Sequence, residues 1–349
     1  AEDGIRDVER SRGLGDVYKR QPSELAKDLA KIYGYRAYMV ERYIKILGLE
    51  DAKELLEAME RSLKPSIRCN TLRVKNCNEL IKSLSEKGYE LEKLKWYNEG
   101  FRVLKIGKPK LGATREYLLG HYYLYRGVAS QLPPLIMEPK ENSCVLDMCA
   151  APGGKLTHIA QLMRNTGLII GMDISRKKMR ALRSHVNRLG VINTILIRAN
   201  ALKAIKDLGF ENSFDYVLLD APCSGEGLIQ IDRSRKTKTS IEDLARIITK
   251  QITLLLNAFI ATKPGGVIVY STCSIAPEEN EYVVTKAIEL FEGEVSIVKV
   301  DQKFYEMFSE GLTEYNRLRF LDDLRYAIRL YPHKHDTEGF FICKMVRKS

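Results

Sequence analysis

Residues 145–155 read VLDMCAAPGGK, and this stretch decides the fold class. Its apolar start predicts a buried strand, and the small residues with Gly153 and Gly154 predict a sharp turn into a helix. The first N–H groups of such a helix have no partner within the helix, so they are available to a ligand. The stretch is neither GxGxxG nor a complete P-loop around Lys155, and a Gly-rich turn alone can also be only a tight loop.

Strands alternate with helices downstream of this turn. Apolar strands are predicted in GLIIGMD, NTILIRAN, FDYVLLD and GVIVYST, and helices after residue 155, at 176–189 and at 240–262. Short apolar strands separated by helices of this length imply a mostly parallel sheet that is covered on both faces. The sequence therefore predicts an α/β fold whose ligands bind beyond the carboxyl ends of the strands.

Polar side chains follow two of these strands. Asp173 follows the second strand, where a carboxylate can accept hydrogen bonds from ribose hydroxyls, and Asn200 follows the third, where an amide can pair with the edge of adenine. Each of the two also suits a helix cap. Together with the Gly-rich turn, they favour a cofactor that contains adenosine.

Two cysteines occupy equivalent positions in the pattern. Cys223 in VLLDAPCSGEG (217–227) and Cys273 in VIVYSTCSIAPEEN (267–280) each follow an apolar strand and lie in a polar turn. The chain has seven cysteines and no CxxC pair, which favours reduced thiols in a cytosolic compartment over a disulfide framework or a zinc site. The other thiols are expected to pack as small apolar side chains, namely Cys69, Cys77, Cys144, Cys343 and, beneath the Gly-rich turn, Cys149.

The chain before this domain divides into three parts. Residues 1–21 look foreign to the fold, residues 22–62 are predicted as helices that begin after Ser23, and residues 63–128 as a small α+β module with strands at 66–74 and 101–105; the α/β domain takes residues 129–349. The net charge of +11 favours a polyanionic partner, nucleic acid first. We expect no membrane span, because no apolar run reaches about 18 residues, and no secretory leader.

Taken together, the motifs resemble those of the NOL1/NOP2/Sun family of RNA cytosine-5 methyltransferases. The resemblance covers almost the whole chain from residue 66, and the archaeal members that act on tRNA look most similar. It rests on IRCNTL (67–72), ASQLPP (129–134), CAAPGGKLTHIAQLM (149–163), RLG (188–190), DAPCSGEG (220–227), KPGG (263–266), YSTCSIAPEENE (270–281) and TEGFF (337–341). Asn200 stands where many members have Asp, and Lys178 where Arg is common.

This resemblance implies a Rossmann-like domain that uses S-adenosylmethionine, preceded by an RRM-like module. It implies that Cys273 is the nucleophile that attacks C6 of cytosine and that Cys223 assists release of the product. Asp220, if protonated, would hydrogen-bond the ring, with Lys155 orienting it or activating a thiol. The cofactor residues that it implies are Cys149, Ala150, Ala151, Pro152, Gly153, Gly154, Lys155, Asp173, Lys178, Asn200 and Asp220.

The expected partner is RNA, tRNA first and rRNA second, in a cytoplasmic setting with no obligate protein partner. A basic face on the module and the loop DRSRKTKT (232–239) are expected beside the RNA; the face comprises Arg68, Arg73, Lys75, Lys105, Lys108 and Lys110. Glu278, Glu279 and Asn280 are expected to start the helix after the Cys273 turn.

Three other functions stay open at this point. A DNA cytosine-5 methyltransferase would take its nucleophile from Pro222-Cys223 but would leave Cys273 without a role. An RNA-binding scaffold without activity would not need the intact motifs, and a small-molecule methyltransferase would not need the basic module.

Overall fold

The computed structural model describes residues 21–349, so the expectation for the first residues of the chain lies outside the described range. The helices are α1 (Glu24–Tyr33), α2 (Ala37–Leu47), α3 (Leu49–Glu60), α4 (Cys77–Ser85), α5 (Arg115–Leu118), α6 (Leu132–Met137), α7 (Gly154–Leu162), α8 (Arg176–Leu189), α9 (Ala201–Asp207), α10 (Arg235–Lys238), α11 (Ile241–Ala261), α12 (Glu281–Leu290), α13 (Gln302–Met307) and α14 (Pro332–His335). The strands are β1 (Ser66–Cys69), β2 (Glu90–Leu94), β3 (Tyr97–Lys105), β4 (Tyr122–Tyr125), β5 (Cys144–Asp147), β6 (Leu168–Met172), β7 (Thr194–Ile197), β8 (Phe214–Asp220), β9 (Thr262–Thr272), β10 (Val295–Ile297), β11 (Ser309–Glu310), β12 (Glu314–Tyr315), β13 (Leu318–Arg319), β14 (Ile328–Leu330) and β15 (Phe340–Arg347).

The strands form two larger sheets and a short hairpin. The first sheet has the order β2-β3-β1-β4, the second has the order β11-β14-β15-β9-β8-β5-β6-β7 with β10 beside β15, and β12 pairs with β13. The chain divides into two compact units. One unit comprises 63–220, 257–270 and 346–349; the other comprises the described residues up to 62, 221–256 and 271–345.

The first of these units contains the parallel part of the large sheet. Strand β5 runs parallel to both β6 and β8, and β6 runs parallel to β7. Because parallel strands need crossover connections, α7 and α8 lie between consecutive strands, as the alternating pattern predicts. The expected Rossmann-like α/β fold is thus confirmed, and the carboxyl ends of these strands mark the edge where ligands bind in such sheets.

The same unit contains a small antiparallel sheet before residue 128. Strand β1 pairs with β3 on one side and β4 on the other, and α4 packs Leu80 and Leu84 into their shared core. The predicted strand 66–74 is shorter than expected and ends at Cys69. The cause is Asn70, whose side chain donates to the carbonyls of Gly120 and Leu189, so the chain leaves the sheet there.

A disulfide joins Cys69 and Cys77, so the expectation that both are reduced, apolar core side chains is wrong. The turn that begins at Asn70 brings the end of β1 next to the start of α4, with the two Cα atoms 6.0 Å apart. This separation lies in the usual range for a disulfide. Spacing alone could not reveal the pair, because the turn that closes it depends on contacts with distant carbonyls. Cys144, Cys149, Cys223, Cys273 and Cys343 remain thiols.

The second unit is built around the N-terminal helices. The hydroxyl of Ser23 accepts from the N–H of Ala26 and caps α1, as predicted, and Gly34 ends the helix in the left-handed conformation. The apolar faces of these helices form a core with residues of the later segments of this unit, at Ile229, Ile275 and Tyr331. The antiparallel pairs β11–β14, β14–β15 and β12–β13 also belong to this unit.

Helix α11 corrects the expectation that no segment is long and apolar enough to cross a membrane. Its 21 residues pass that test by length and composition, but half of the apolar window is buried inside the protein. Core helices of soluble proteins pass the same test, so this is weak evidence for a span.

Candidate active site

The Gly-rich turn after β5 sits at the carboxyl edge of the parallel strands. The N–H of Ala150 donates to the carbonyl of Met172, the last residue of β6, over 2.8 Å. Gly153 has a φ of +112°, and a Cβ there would lie 2.8 Å from the Leu182 side chain, so this position needs glycine. Helix α7 then starts at Gly154, directly after the turn. The backbone N–H groups at the start of α7 therefore face the end of the sheet where a ligand is expected.

Asp147 at the end of β5 is a further candidate for the site, which sequence reasoning missed. Its side chain is 1% exposed; Oδ1 accepts from the N–H of Cys149, while Oδ2 has no hydrogen-bond partner within residues 21–349. Burial, followed by the negative charge of Asp220, raises the pKa of Asp147 to about 7. A buried carboxyl oxygen without a partner suits a ligand that donates a hydrogen bond or carries positive charge. The sequence feature that could have identified Asp147 is an acidic residue at the last position of an apolar strand.

The polar residues after β6 and β7 take the positions that the sequence predicts. Asp173 is buried, and its Oδ1 accepts from the N–H of Ser175; Asn200 caps α9 by accepting from the N–H of Leu202. The N–H of Asp173 donates to the carbonyl of Ile197, which brings the ends of β6 and β7 together. Lys178 is exposed on α8. The cofactor roles of these three residues stay predictions.

Lys155 and Asp220 form an ion pair. Lys155 Nζ donates to Asp220 Oδ2 over 2.7 Å, and the two side chains are 12% and 31% exposed. Lys155 lies in the first turn of α7 and Asp220 ends β8, so the parallel pairing of β5 with β8 brings them together. The expectation that Lys155 can orient Asp220 agrees with this contact.

Cys223 and Cys273 lie side by side in the second unit. Their Sγ atoms are 3.1 Å apart, and both side chains are half-buried. Backbone hydrogen bonds align the two turns: the N–H of Ala221 donates to the carbonyl of Ser271, and the N–H of Gly227 donates to the carbonyl of Cys273. The sequence placed the cysteines in equivalent turns, and the structure brings their sulfur atoms into contact.

Glu279 links the two cysteine turns. It accepts from the N–H of Ser224 (2.8 Å), from the Ser224 hydroxyl (2.5 Å), from the Ser274 hydroxyl (2.7 Å) and from Gln251 Nε2 (3.2 Å). Ser224 follows Cys223 and Ser274 follows Cys273, so one carboxylate fixes both turns. Burial raises the pKa of Glu279. The expectation that residues 278–280 start a helix holds for Asn280, the N-cap of α12, and is wrong for Glu278 and Glu279, which precede the helix and are buried.

Neighbouring residues hold the Cys273 turn from other sides. The Thr272 hydroxyl donates to Asn280 Oδ1 over 2.5 Å, and Asn280 Nδ2 donates to the carbonyl of Ser274 over 3.0 Å. The N–H of Gly339, in the TEGFF motif, donates to the carbonyl of Gly227. The turns that carry the two cysteines are therefore held in place by a network of hydrogen bonds, which we call the frame.

A buried arginine ties the helical segment to this frame. Arg42 of α2 is fully buried and pairs with Glu226 at 2.8 Å and with Glu278 at 3.1 Å. Because buried charges are costly unless paired, these contacts fix α2 against the segments that carry the two cysteine motifs.

Several residues expected to face RNA have structural contacts instead. Arg68 is buried, and its guanidinium donates to Thr157, because β1 is an interior strand of its sheet. Lys236 in the loop 232–239 is buried against Tyr35 and pairs with Glu60, and Arg235 donates to the carbonyl of Ser224. The remaining residues of the basic face are exposed, at Arg73, Lys75, Lys105, Lys108 and Lys110.

Comparison with known proteins agrees with this geometry. Residues 134–346 match the 16S rRNA methyltransferase RsmB/F family, and residues 37–125 match the N-terminal domain of 16S rRNA methyltransferase RsmF. A mouse 28S rRNA (cytosine-C(5))-methyltransferase is 39% identical over 99% of this chain and 43% of its own length. A tRNA (cytosine(49)-C(5))-methyltransferase from Pyrococcus abyssi is 38% identical over 88% of this chain and 94% of its own length.

A solved structure shows the same fold. A methyltransferase homologue from Pyrococcus horikoshii is 36% identical, superposes with a TM-score of 0.81, and the match covers 93% of this chain and 99% of that one. The chain spans about half the length of the eukaryotic relatives it matches. The chain belongs to the RsmB/F methyltransferase family, and its resemblance to the NOL1/NOP2/Sun RNA cytosine-5 methyltransferases is thereby confirmed.

Proposed function

We propose that the chain transfers a methyl group from S-adenosylmethionine to C5 of a cytosine in RNA. The observation that carries this proposal is the contact between Cys223 and Cys273, whose Sγ atoms lie 3.1 Å apart in two turns fixed by Glu279. A reaction that makes and then breaks a bond between a base and a thiol needs a nucleophile and a second group nearby to help release the product.

Cys273 is proposed as the nucleophile. Its thiolate forms a bond to C6 of cytosine, and the electron pair of the C5–C6 double bond shifts to C5 and is shared with N3, which makes C5 nucleophilic. The bound cofactor supplies a methyl group attached to a positively charged sulfur. Once C5 carries the methyl group, the C5 proton leaves, the double bond re-forms, and the bond between C6 and Cys273 breaks. Cys223 is proposed to assist this last step, directly or as the base.

Asp220 and Lys155 are proposed to stabilise the ring during attack. Asp220 is ionised in its 2.7 Å pair with Lys155; if it takes a proton when the base binds, it would donate a hydrogen bond to the ring nitrogen that gains charge, with Lys155 keeping the carboxyl group in place. A donor that acts where charge develops accelerates the step more than one that binds substrate and transition state equally.

The Gly-rich turn is proposed to hold the cofactor. Oδ2 of Asp147, which has no hydrogen-bond partner among the described residues, and the glycine-dependent turn at Gly153 fit a ligand that carries a positive charge and approaches the backbone closely. Asp173 and Asn200 are proposed for the ribose and the adenine, with Lys178 nearby. The remaining members of the proposed set are Cys149, Ala150, Ala151, Pro152, Gly154, Lys155 and Asp220.

The first substrate to test is tRNA, and the second is rRNA. The length match favours tRNA, since the chain covers 94% of the Pyrococcus abyssi tRNA enzyme. The 39% identity with the mouse 28S rRNA enzyme over nearly the whole chain favours rRNA as the alternative. A cytoplasmic location remains a prediction from the sequence.

The experiment uses cysteine variants with labelled cofactor and separate tRNA and rRNA substrates. Cys273→Ala should lose methylation, and Cys223→Ala should accumulate a protein–RNA adduct that survives denaturation. Cys144→Ala, at a half-buried thiol with no proposed role, is the matched control. An adduct that depends on Cys223 would reverse the two roles, and full turnover by Cys273→Ala would overturn the mechanism. Bisulfite sequencing then identifies the methylated cytosine.

A further inference from the structure

A long stretch of the methyltransferase fold carries only positive charge. From Ile174 to Lys206 the sequence contains no Asp or Glu and nine Lys or Arg: Arg176, Lys177, Lys178, Arg180, Arg183, Arg188, Arg198, Lys203 and Lys206. All but Arg188 are exposed. This stretch covers α8, β7 and most of α9. It is therefore a continuous part of the sequence in which no acid offsets the basic residues.

A groove runs between α8 and β7, the last strand of the large sheet. Its volume is about 540 Å³, and four arginines lie among its lining residues, which are Arg176, Met179, Arg180, Arg183, Ser184, Asn187, Leu196 and Arg198. None of the eight belongs to the residues proposed to hold the cofactor. The groove is thus a separate feature of this unit.

The arginines of this groove have no ion-pair partner in the part of the chain that the structure describes. No carboxylate lies within salt-bridge distance of Arg176, Arg180, Arg183 or Arg198 there, although many other surface cations pair with a neighbouring acid, as Lys27 does with Glu24. Positions 176, 180 and 183 follow helical spacing, so these side chains project from one face of α8. Three guanidinium groups on one helix face, with a fourth from Arg198 directly after β7, suit a ligand that carries several negative charges.

The first turn of α8 has the opposite charge to the one that helices favour. Helix N-termini favour Asp and Glu because the helix dipole is positive there, yet α8 begins Arg176, Lys177, Lys178 with no acid in its first turn. These cations add to the positive potential of the helix end instead of balancing it. A charge arrangement that costs stability is expected where binding requires it.

The C-terminal end of the helix that lines the groove contacts the basic face of the small module. Gly190 ends α8, and a Cβ at Gly190 would lie 2.5 Å from Nε of Arg73, so the Arg73 side chain packs on the end of the helix. Arg73 and Lys75 are exposed and belong to the basic face expected to contact RNA. The two basic regions therefore meet at Arg73 and Gly190 within a single compact unit.

We propose that the groove between α8 and β7 binds the phosphate backbone of the substrate RNA at a distance from the target cytosine, extending the contacts of Arg73 and Lys75. The proposal rests on RNA methylation as the function and identifies how the RNA is held. Phosphates are recognised by arginine through paired hydrogen bonds, without regard to base sequence. The surface thus contributes affinity and salt dependence, while the choice of base is made elsewhere.

The test compares a triple variant with a matched control. Arg180→Ala, Arg183→Ala and Arg198→Ala together remove three exposed cations from the groove; Lys140→Ala, Arg317→Ala and Arg319→Ala remove three exposed cations elsewhere. Binding of unfractionated tRNA and of an rRNA fragment is measured without cofactor as salt rises from about 50 to about 200 mM. We expect the groove variant to bind RNA at least about tenfold more weakly. The slope of the logarithm of the binding constant against the logarithm of the salt concentration (the salt slope) should fall in magnitude by about 2, since each phosphate contact contributes about 0.7–0.9 to it.

Steady-state kinetics add a second measurement on the same variants. The groove variant should show a raised KM for RNA with kcat at saturating RNA unchanged, because the three arginines touch no reacting atom. The control variant should match the wild type in both binding and kinetics. Equal losses in both variants, or an unchanged salt slope in the groove variant, would overturn the proposal.

Other occupants are tested with defined probes. If the groove variant keeps RNA binding but loses binding to phosphatidylserine vesicles or to polyglutamate, the surface serves a membrane or an acidic protein, and the RNA proposal is wrong. Failure of the proposed function is distinguishable from this result. If the wild type methylates no RNA but the groove variant still loses RNA affinity, the proposed RNA-binding surface is supported and the proposed reaction is contradicted. If the wild type methylates RNA and the groove variant binds RNA as the wild type does, the proposed binding surface is contradicted.

Discussion

The hydroxyl of Ser274 donates a 2.7 Å hydrogen bond to Glu279, whose side chain also accepts from the hydroxyl of Ser224. Because Ser274 follows Cys273 and Ser224 follows Cys223, the distance between the two thiols depends on one buried acid. Glu279 touches neither sulfur in these contacts, so its role is to position the two turns.

Glu279→Ala should lower both stability and kcat. The change leaves the N–H and hydroxyl of Ser224, the hydroxyl of Ser274 and the amide of Gln251 without this acceptor, and each buried group without a partner costs about 1–3 kcal/mol. Since hydroxyls can turn to new partners, we expect the free energy of unfolding to fall by about 3 kcal/mol in total. Urea unfolding measures the stability, and initial rates separate kcat from KM.

Glu279→Gln and Glu289→Ala serve as controls for this prediction. The Gln variant keeps one oxygen for the Ser224 N–H and should retain most of the stability and part of kcat. Glu289 pairs with Lys286 on the surface, so its loss should change little. A Glu279→Ala variant with normal kcat would show that the cysteine turns hold their positions without this acid.

Gly227→Ala should destabilise the turn that supports Cys273. A Cβ at Gly227 would overlap the carbonyl oxygen of Gly339, so the backbone would have to move. We expect a loss of about 3 kcal/mol in the free energy of unfolding and a lower kcat, since the Gly227 N–H also donates to the carbonyl of Cys273. Thermal and urea unfolding measure the first effect.

Gly112→Ala is the matched control for Gly227→Ala. A Cβ at Gly112 would meet no atom of residues 21–349 within 4 Å, and φ of Gly112 is not positive, so the free energy of unfolding should change by less than about 0.5 kcal/mol. If the two alanine variants are equally stable, the contact between the DAPCSGEG and TEGFF motifs is not required for folding.

Mild oxidation should cross-link Cys223 to Cys273 and stop methylation reversibly. The Sγ atoms are 3.1 Å apart, and a disulfide needs about 2.05 Å, so a shift of about 1 Å suffices. A diazene oxidant takes one hydrogen from each thiol and is itself reduced to the hydrazine. Peptide mapping should show the linked peptides, and dithiothreitol should restore activity. The half-buried Cys144 thiol is the internal control, and an oxidised enzyme that keeps full activity would contradict the prediction.

The helices and strands of the parallel sheet could be predicted from periodicity and caps. The bounds of α8, 176–189, agree because Ser175 caps its start and Gly190 ends it, and both signals are local in the sequence. The end of β1 could not be predicted, since it depends on Asn70 reaching carbonyls 50 and 119 residues away. The disulfide between Cys69 and Cys77 depends on the same turn.

Within the site, the cysteines were visible from the sequence and their supports were not. Cys223 and Cys273 stand out because each follows an apolar strand in a polar turn. Glu279 resembles an acid at a helix start, and only the fold shows that it is buried among hydroxyl groups. Arg68 likewise looked like a surface cation, because the sequence does not show that its strand lies in the interior of a sheet, where the side chain is buried.

Stability should depend on pH through Asp147. Its pKa of about 7 in the folded protein lies above the ordinary value of 3.8, and burial is the main cause. Between about pH 4 and pH 7 the folded protein therefore holds a proton that the unfolded chain has lost. The contribution of this carboxyl to stability is complete below the unfolded pKa and falls as pH rises through the folded pKa, by about 1.4 kcal/mol per pH unit and at most about 4 kcal/mol.

Asp147→Asn tests this linkage, because the amide stays neutral and its oxygen can still accept from the N–H of Cys149. Urea unfolding across this pH range should show the wild type losing stability relative to the variant as pH rises. Asp301→Asn is the control, since a hydrogen bond from Lys303 lowers the pKa of Asp301 and any effect there should run in the opposite direction. Parallel stability curves for wild type and Asp147→Asn would show that Asp147 is ionised in the folded protein throughout this range, and its buried oxygen would then need a partner other than a proton.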